Sequence, residues 1–383
     1  MKLSISSNAS VAIKSLENRG FEAFFVGGCV RDMLMGKIPS DYDITTNALP
    51  HQIKSCFENT IDTGLSHGTV TAIVNGEPFE ITTYRTESDY SDMRRPDSVK
   101  FVRNIEEDLA RRDFTVNAVA YNEKSGFKDP FCGINDIESG ILRAVGDPEK
   151  RFREDALRIM RLFRFAATLN MKTEEKTKTA AVKCADELKF ISCERIYSEL
   201  TKLACGSDVE KAEPLFESGT LKPFGIGPRE NLKKISKLAK SSHLRLYALL
   251  SDASEDKYKT LDILKAENAA KEYFKHMDII LISKKDTRAD IKRILGKVPY
   301  ETVLECAEYT ENIRCENAEF LKFEATDIIN RKEPYKISDL AISGNDLKAL
   351  GYSGAQIGEK LKTLLDKVIE DPKLNRKDTL LSL

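Results

Sequence analysis

The feature that most constrains this chain is an apolar run, Phe24-Phe25-Val26, that stops abruptly at Gly27-Gly28. Such a run predicts a buried strand ending in a tight turn, where the backbone can approach a ligand because no Cβ intervenes. Val30 to Met35, closed by Gly36, predicts a short helix. Its first N–H groups and its dipole face whatever lies over the glycines, which favours an anion such as phosphate. Arg31 adds a guanidinium fork at the same place. Pro39 and Ser40 lead into a second predicted strand, Asp41-Tyr42-Asp43-Ile44. Residues two apart on a strand share a face, so Asp41 and Asp43 point one way while Tyr42 and Ile44 point into the core. Two carboxylates side by side repel unless a cation lies between them. Beside a phosphate cradle, the cation that suits oxygen ligands shared with phosphate is Mg²⁺. Gly-Gly alone marks a turn and Asp-x-Asp alone occurs in many loops; the order of the two, with an arginine between, specifies a site.

This stretch resembles the nucleotidyltransferase superfamily signature, and Gly27-Gly28-x-Val30-Arg31-Asp32 resembles its class II branch, the CCA-adding enzymes and poly(A) polymerases. Three further motifs carry the same resemblance. Arg85-x-Glu87-x-x-Tyr90-x-Asp92-x-Arg94-Arg95-Pro96 resembles the flexible loop of enzymes that add A, a loop that enzymes adding only C are expected to lack. Residues 85–99 are polar and charged, which predicts a mobile loop. Arg111-Arg112-Asp113-Phe114-Thr115-x-Asn117-Ala118 lies at the junction of two predicted helical pieces between Ile105 and Ala120, with Asp113 capping the second. The resemblance implies that Arg112 reaches the nucleotide and that Asp113 and Asn117 line the sugar site. Glu154-Asp155-x-x-Arg158-x-x-Arg161-x-x-Arg164 resembles the nucleotide-selecting motif.

On the predicted helix from Arg151 to Asn170, Asp155 and Arg158 are three apart and hence neighbours. An acid–arginine pair of this kind is also a common surface ion pair worth little. As base readers the two have a definite chemistry. Cytosine and adenine each present an amino donor next to ring acceptors. Asp155 can accept from the amino group, and Arg158, which only donates, serves the acceptors. Guanine and uracil reverse the pattern, and a buried mismatch discriminates by roughly 10⁴ in favourable cases. Two side chains then stand in for a template.

The remaining chain is read more simply. Residues 5–19 have a helical period ending at Gly20, and Leu49-Pro50 opens a helix with Ile53 and Phe57 inward. His67 to Val74, Asn75-Gly76, and Pro78 to Tyr84 predict a hairpin. Glu80 in that hairpin has two readings, an outward polar residue or a third carboxylate beside Asp41 and Asp43. From Ile141 onward the pattern is helical with no convincing strand. Ile342-Ser343-Gly344-Asn345-Asp346 to Gly358 resembles the class II tail element, with Gly354-Ala355 in place of the expected Gly-Pro, and Ile357, Leu361, Leu364, Leu365 and Val368 form an apolar helical stripe.

The fold class that follows is α+β, a polymerase-β-like nucleotidyltransferase head with a mixed sheet, then all-helical neck, body and tail. The expected boundaries are 1–140, 141–205, 206–290 and 291–383. The resemblance implies template-independent addition of CCA to the 3′ end of tRNA from CTP and ATP, with Mg²⁺ as cofactor. Asp41 and Asp43 are the expected catalytic, metal-holding pair. Gly28, Arg31, Arg112, Asp155, Arg158, Arg161 and Arg164 are the expected nucleotide-binding set. An enzyme adding only the terminal A remains an open alternative; a poly(A) polymerase fits less well, because no basic Gly-Arg-Arg-Phe-type segment follows the carboxylates. A non-catalytic RNA-binding relative would normally have lost Asp41, Asp43 or Arg158. The 383 residues, 41% hydrophobic and 32% charged, suit several domains and include no run long enough to span a membrane. The net charge of −1 leaves RNA contact to local patches. Eight scattered cysteines and four histidines indicate neither disulfides nor zinc. A cytoplasmic protein with no membrane and no obligate protein partner is expected.

Overall fold

The apolar run Ala23–Val26 forms strand β1, buried along its whole length. Its alternating side chains serve two cores. Phe25 packs with Leu16, Val30, Ile44, Val70 and Ile81, while Phe24 and Val26 pack with Tyr84, Ile105, Leu109 and Val145. A strand buried on both faces reads as a continuous apolar run, which is why this one stands out in the sequence.

The computed structural model describes residues 3–88 and 98–383, and the chain divides into two compact units, Met1–Leu232 and Lys233–Leu383. In the first unit, β1 joins β2 (Asp43–Thr46), β3 (Thr60–Gly64), β4 (Thr69–Val74) and β5 (Glu77–Thr83). A separate antiparallel pair is β6 (Arg85–Ser88) with β7 (Ser98–Phe101), and β8 (Ala120–Asn122) and β9 (Gly126–Lys128) complete the main sheet. Its order is β3-β4-β5-β2-β1-β8-β9. Only β2 and β5 run parallel, so the sheet is mixed. Helix α1 (Ser7–Glu17) covers one face with Ala9, Ala12, Ile13 and Leu16; the Ser6 hydroxyl accepts the Ala9 N–H at 3.2 Å to cap it. Helix α2 (Gly28–Leu34) follows the two glycines, α3 (Pro50–Ser55) buries Ile53, and α4 (Ile105–Ala110) covers the other face through Ile105 and Leu109.

The hairpin about Asn75-Gly76 forms as expected, with Ala72 opposite Phe79 and Val74 opposite Glu77. Four expectations are corrected. The polar segment 85–99 is not simply a loop, because Arg85–Ser88 and Ser98–Phe101 pair as a ladder; residues 89–97, with the core of the expected flexible loop, lie outside the described residues. The second helical piece before Ala120 is a single 3₁₀ turn, Thr115–Asn117. The chain then straightens into β8, whose Tyr121 and Ala120 pair with Phe25 and Val26. The open edge of β1 outweighs the local helical pattern there. Strands also continue past residue 141, since β10 (Ile141–Leu142) pairs in parallel with β11 (Lys172–Thr173).

The fourth correction concerns the selecting motif. After α5 (Gly133–Ser139), the expected single helix is two: α6 (Pro148–Glu154) and α7 (Leu157–Leu169). Asp155 breaks them with an extended backbone, φ −141° and ψ 102°. Its Oδ1 accepts the Leu157 N–H at 3.1 Å, satisfying a donor at the start of α7. Leu157, Met160, Phe163 and Ala167 are buried along α7 as the stripe required. Helices α8 (Glu175–Lys183) and α9 (Cys193–Ala204) complete this part.

The second unit is helical throughout its described elements. Lys292 is 1% exposed and pairs with Glu333 at 2.8 Å. Arg288 binds Glu324, Asp327 and Glu333, tying together the helices Arg288–Leu295 and Glu319–Asn330. Leu361, Leu364 and Val368 of the helix Ala355–Glu370 pack with Leu347 and Leu380. Among the described residues no helix is long and apolar enough to cross a membrane.

Candidate active site

Strand register sets the carboxylates. Ile44 lies opposite Phe25 and Ile81 and faces the core with them, so Asp43 and its partner Glu80 occupy the other face of the sheet. Asp41 precedes the strand, where Ser40 donates to its Oδ1 at 3.0 Å. Tyr42 between them turns inward; its ring meets Phe25 edge-on at 5.6 Å and its hydroxyl accepts the Ser6 N–H. Crowding by protein raises the Asp43 carboxyl above the usual range. The Arg112 guanidinium opposes that rise, and the neighbouring charges of Asp41 and Glu80 add to it. An anionic site held above its ordinary pKa by its own neighbours is relieved by a bound cation.

Gly27 opens the space between these groups. It sits at φ 76° and ψ −132°, and a Cβ there would lie 3.1 Å from Nη1 of Arg112 and 3.8 Å from Oδ2 of Asp43. The sequence reading singled out Gly28; the position that sterics reserve for glycine is its neighbour. The signal was available, since of two consecutive glycines the first one after a strand must make the turn. Arg112 is aimed by Asp108, a fully buried carboxylate that accepts from Arg112, from both sides of the Arg111 fork, from the Thr45 hydroxyl and from the Arg85 N–H. Burial disfavours its charge, but Arg111 and Arg112 override that and hold the Asp108 carboxyl below its ordinary value. Nothing in the spacing of Asp108 marks it among the acids of α4.

A hydrogen-bonded relay joins α2 to α7. Arg31, 8% exposed, donates from Nη1 to Asn117 Oδ1 at 2.7 Å. Asn117 donates to Asp113 Oδ1 at 3.0 Å, and Arg161 clasps Asp113 Oδ2 at 2.6 and 2.8 Å. Burial opposes the charge on Asp113, yet Arg161 and the Asn117 amide hold its carboxyl far below the usual carboxylate range. Asp113 therefore caps no helix; it accepts the Phe114 N–H and anchors Arg161.

Asp155 and Arg158 are neighbours that do not pair with each other. Asp155 is held by Arg195 of α9, at 2.9 and 3.4 Å, and Arg158 by Glu154 at 2.8 Å. Arg158 also donates to the carbonyls of Arg151 and Arg111, which fixes it beside the segment carrying Arg112. Arg164 donates to Glu199 of α9 at 2.5 Å. Arg195 is the holder that sequence spacing did not identify, because its partner lies forty residues away.

Among the described residues no three His, Cys, Asp or Glu side chains form a ready-made metal cluster. The donor set at Asp41 and Asp43 nevertheless suits a hard cation that keeps water and phosphate oxygens as its other ligands.

Comparison with known proteins identifies the family. The Poly A polymerase head domain matches residues 23–143, and the probable RNA and SrmB-binding site of polymerase A matches residues 170–224. The CCA-adding enzyme of Leuconostoc mesenteroides is 37% identical over 385 residues, 97% of this chain and 94% of that protein. That of Lactobacillus helveticus is 51% identical over 208 residues, 54% of this chain; the match spans about half of that relative's length, 52%. The crystal structure of the Bacillus stearothermophilus CCA-adding enzyme in complex with CTP superposes with a TM-score of 0.83 at 31% identity, covering 98% of this chain and 96% of that one. Nucleotidyltransferases of this kind use a divalent metal. With a relative this similar along nearly its whole length, and a polymerase head domain matched over residues 23–143, the chain belongs to the CCA-adding enzyme family.

Proposed function

We propose that this chain adds C and A to the 3′ end of tRNA without a nucleic-acid template, taking CTP and ATP as donors and Mg²⁺ as its metal. Asp41 and Asp43 hold the metal. When bound, it supplies charge to the RNA 3′-hydroxyl, the α-phosphate and the pyrophosphate leaving group. Glu80, in register with Asp43, adds a third negative group on the same face. Gly28 and Arg31 receive the triphosphate, Arg112 the nucleotide, and Arg161 and Arg164 the phosphates. Eight free cysteines fit a reducing compartment, and we place the protein in the cytoplasm. The four-part division into head, neck, body and tail at residues 140, 205 and 290 remains our functional division of the chain.

The observation that carries base choice is hydrogen-bond capacity. Of the five donors on Arg158, three are spent on Arg151, Glu154 and Arg111, leaving two among the described residues. Asp155 spends its Oδ1 on Leu157 and Arg195 and one site of Oδ2 on Arg195, leaving one acceptor. Cytosine asks for one acceptor, for N4, and two donors, for N3 and O2; adenine asks for one of each. Guanine and uracil ask for the reverse and leave buried groups unpaired.

A gel at single-nucleotide resolution tests this reading. Three tRNA transcripts, ending at the discriminator base, at C and at CC, are each given CTP, ATP or both with Mg²⁺. Extension of all three to CCA is expected. Addition of A to the CC transcript alone would make this an A-adding enzyme.

A further inference from the structure

Three guanidinium groups converge on one aromatic ring. Cζ of Arg164 lies 3.7 Å from the centroid of Phe165, and Cζ of Arg31 and of Arg161 lie over the same ring at 5.2 Å each. The ring is 6% exposed, and Phe114 meets it nearly at right angles with centroids 5.9 Å apart. Each arginine has its own polar holders: Asn117 and Asp32 for Arg31, Asp113 for Arg161, Glu199 for Arg164. These holders leave donors unspent. Nη1 of Arg161 and both Nη groups of Arg164 make no hydrogen bond among the described residues. The Arg161 charge acts against that of Arg164, and separate carboxylates, Asp32, Asp113 and Glu199, hold the three arginines. The negative face of an aromatic ring attracts all of them at once, and most strongly where water is excluded.

We propose that Phe165 is a positioning residue for the nucleotide: its ring keeps Arg31, Arg161 and Arg164 together as a preformed fan of donors for the triphosphate. The proposal rests on the reading above that these arginines bind the nucleotide. A ligand that meets the fan already assembled avoids the ordering cost of three long side chains. Phe165 itself touches no reacting atom.

The test is equilibrium binding of CTP and of ATP to the full chain without tRNA, beside steady-state kinetics, for F165L, F165M, F165Y and R164A. Leucine and methionine keep apolar volume but remove the π face, and tyrosine keeps it. The expected result is a Kd raised about tenfold for both nucleotides in F165L and F165M, and near wild type in F165Y. The kinetic loss should fall on KM more than on kcat. A Kd within about twofold of wild type in F165L and F165M, with R164A weakened, would overturn the role of Phe165 and leave the arginines' role standing. If R164A also binds normally, the reading beneath the proposal falls with it. Loss of the cooperative unfolding transition in both F165L and F165M would mark the ring as a core filler and overturn the proposal as well.

Discussion

At the scale of single residues, the site depends on atoms that are missing as much as on those present. Gly27 holds a backbone conformation that side chains rarely adopt, and the room beside it is taken by Arg112. Gly27→Ala is expected to cost about 1–3 kcal/mol in backbone strain. The Arg112 guanidinium must also give way, because the added Cβ would lie 3.1 Å from its Nη1. The strain lowers stability; the displaced guanidinium should separately lower nucleotide incorporation by roughly tenfold, which corresponds to about 1.4 kcal/mol of lost binding. Gly36→Ala makes the comparison, because Gly36 also has positive φ but nothing crowds its missing Cβ. Equal activity in the two variants would sink the argument. The face of Asp43 was legible from spacing, since a strand's two-residue period sets it opposite to that of Ile44. The expected strand over residues 41–44 begins only at Asp43, so Asp41 reaches its neighbour from a bend that no period describes. The partner of Asp43 was not legible: whether Glu80 points outward or stands beside it depends on how β5 registers against β2, and no local pattern encodes a parallel register.

At the scale of elements, the break between α6 and α7 matters most. A continuous helix would have placed Asp155 one turn before Arg158 and paired the two. Instead Asp155 leaves the helix, takes the Leu157 N–H and is clasped by Arg195. Arg195→Gln removes that charge-assisted clasp, with a typical cost of about 1.5–3 kcal/mol for bonds to a charged group. The expected outcome is a kcat/KM for CTP and ATP lowered roughly tenfold to a hundredfold, with tRNA affinity unchanged. Unaltered nucleotide kinetics would remove Arg195 from base selection. The break was invisible to periodicity, because the apolar stripe of α7 extends back through Phe152 with helical spacing. The short strands β8 and β10 were missed for a related reason. Two or three residues carry no period of their own, and the edges of β1 and β11 that they pair with lie about 95 and 30 residues away, although β8 also meets the nearby β9.

At the scale of the whole molecule, the head was legible because its motifs are local and dense, whereas the second unit was readable only as helix. Beside its apolar core, polar pairs that sequence spacing does not link tie its helices together. Glu333 serves both Arg288 and the buried Lys292. The Arg288 bonds, opposed by burial and reinforced by Lys292, bring its carboxyl down to about 2 from an ordinary 4.5. A depressed carboxyl contributes stability that is complete above its unfolded value and fades as pH falls through the window from 4.5 toward 2. Glu333→Gln leaves Lys292 buried without its counter-charge, and should cost roughly 3 kcal/mol at neutral pH. Urea unfolding of the full chain checks this. The gap between variant and wild type should be wide at neutral pH and should narrow at pH values approaching 3, about midway through the titration window. A gap independent of pH would exclude the ion pair as its source.

The parallel register of β2 and β5 has one more consequence, for how this gene can change length. Asp43 and Glu80 sit on separate strands, and the chain between them passes through a helix, an irregular edge strand and the Asn75-Gly76 turn. Apolar side chains lock the two strands to each other, so the intervening chain can be spliced without disturbing the alignment of the acids. A single codon inserted at the turn should yield an active protein. The same codon between Glu80 and Ile81, with Ile81 held opposite Ile44, pushes Glu80 out of register with Asp43 and onto the inward face, and should yield an inactive one. Tolerance of insertions, scanned codon by codon across this interval, would thus trace the register of the acids without reference to any structure.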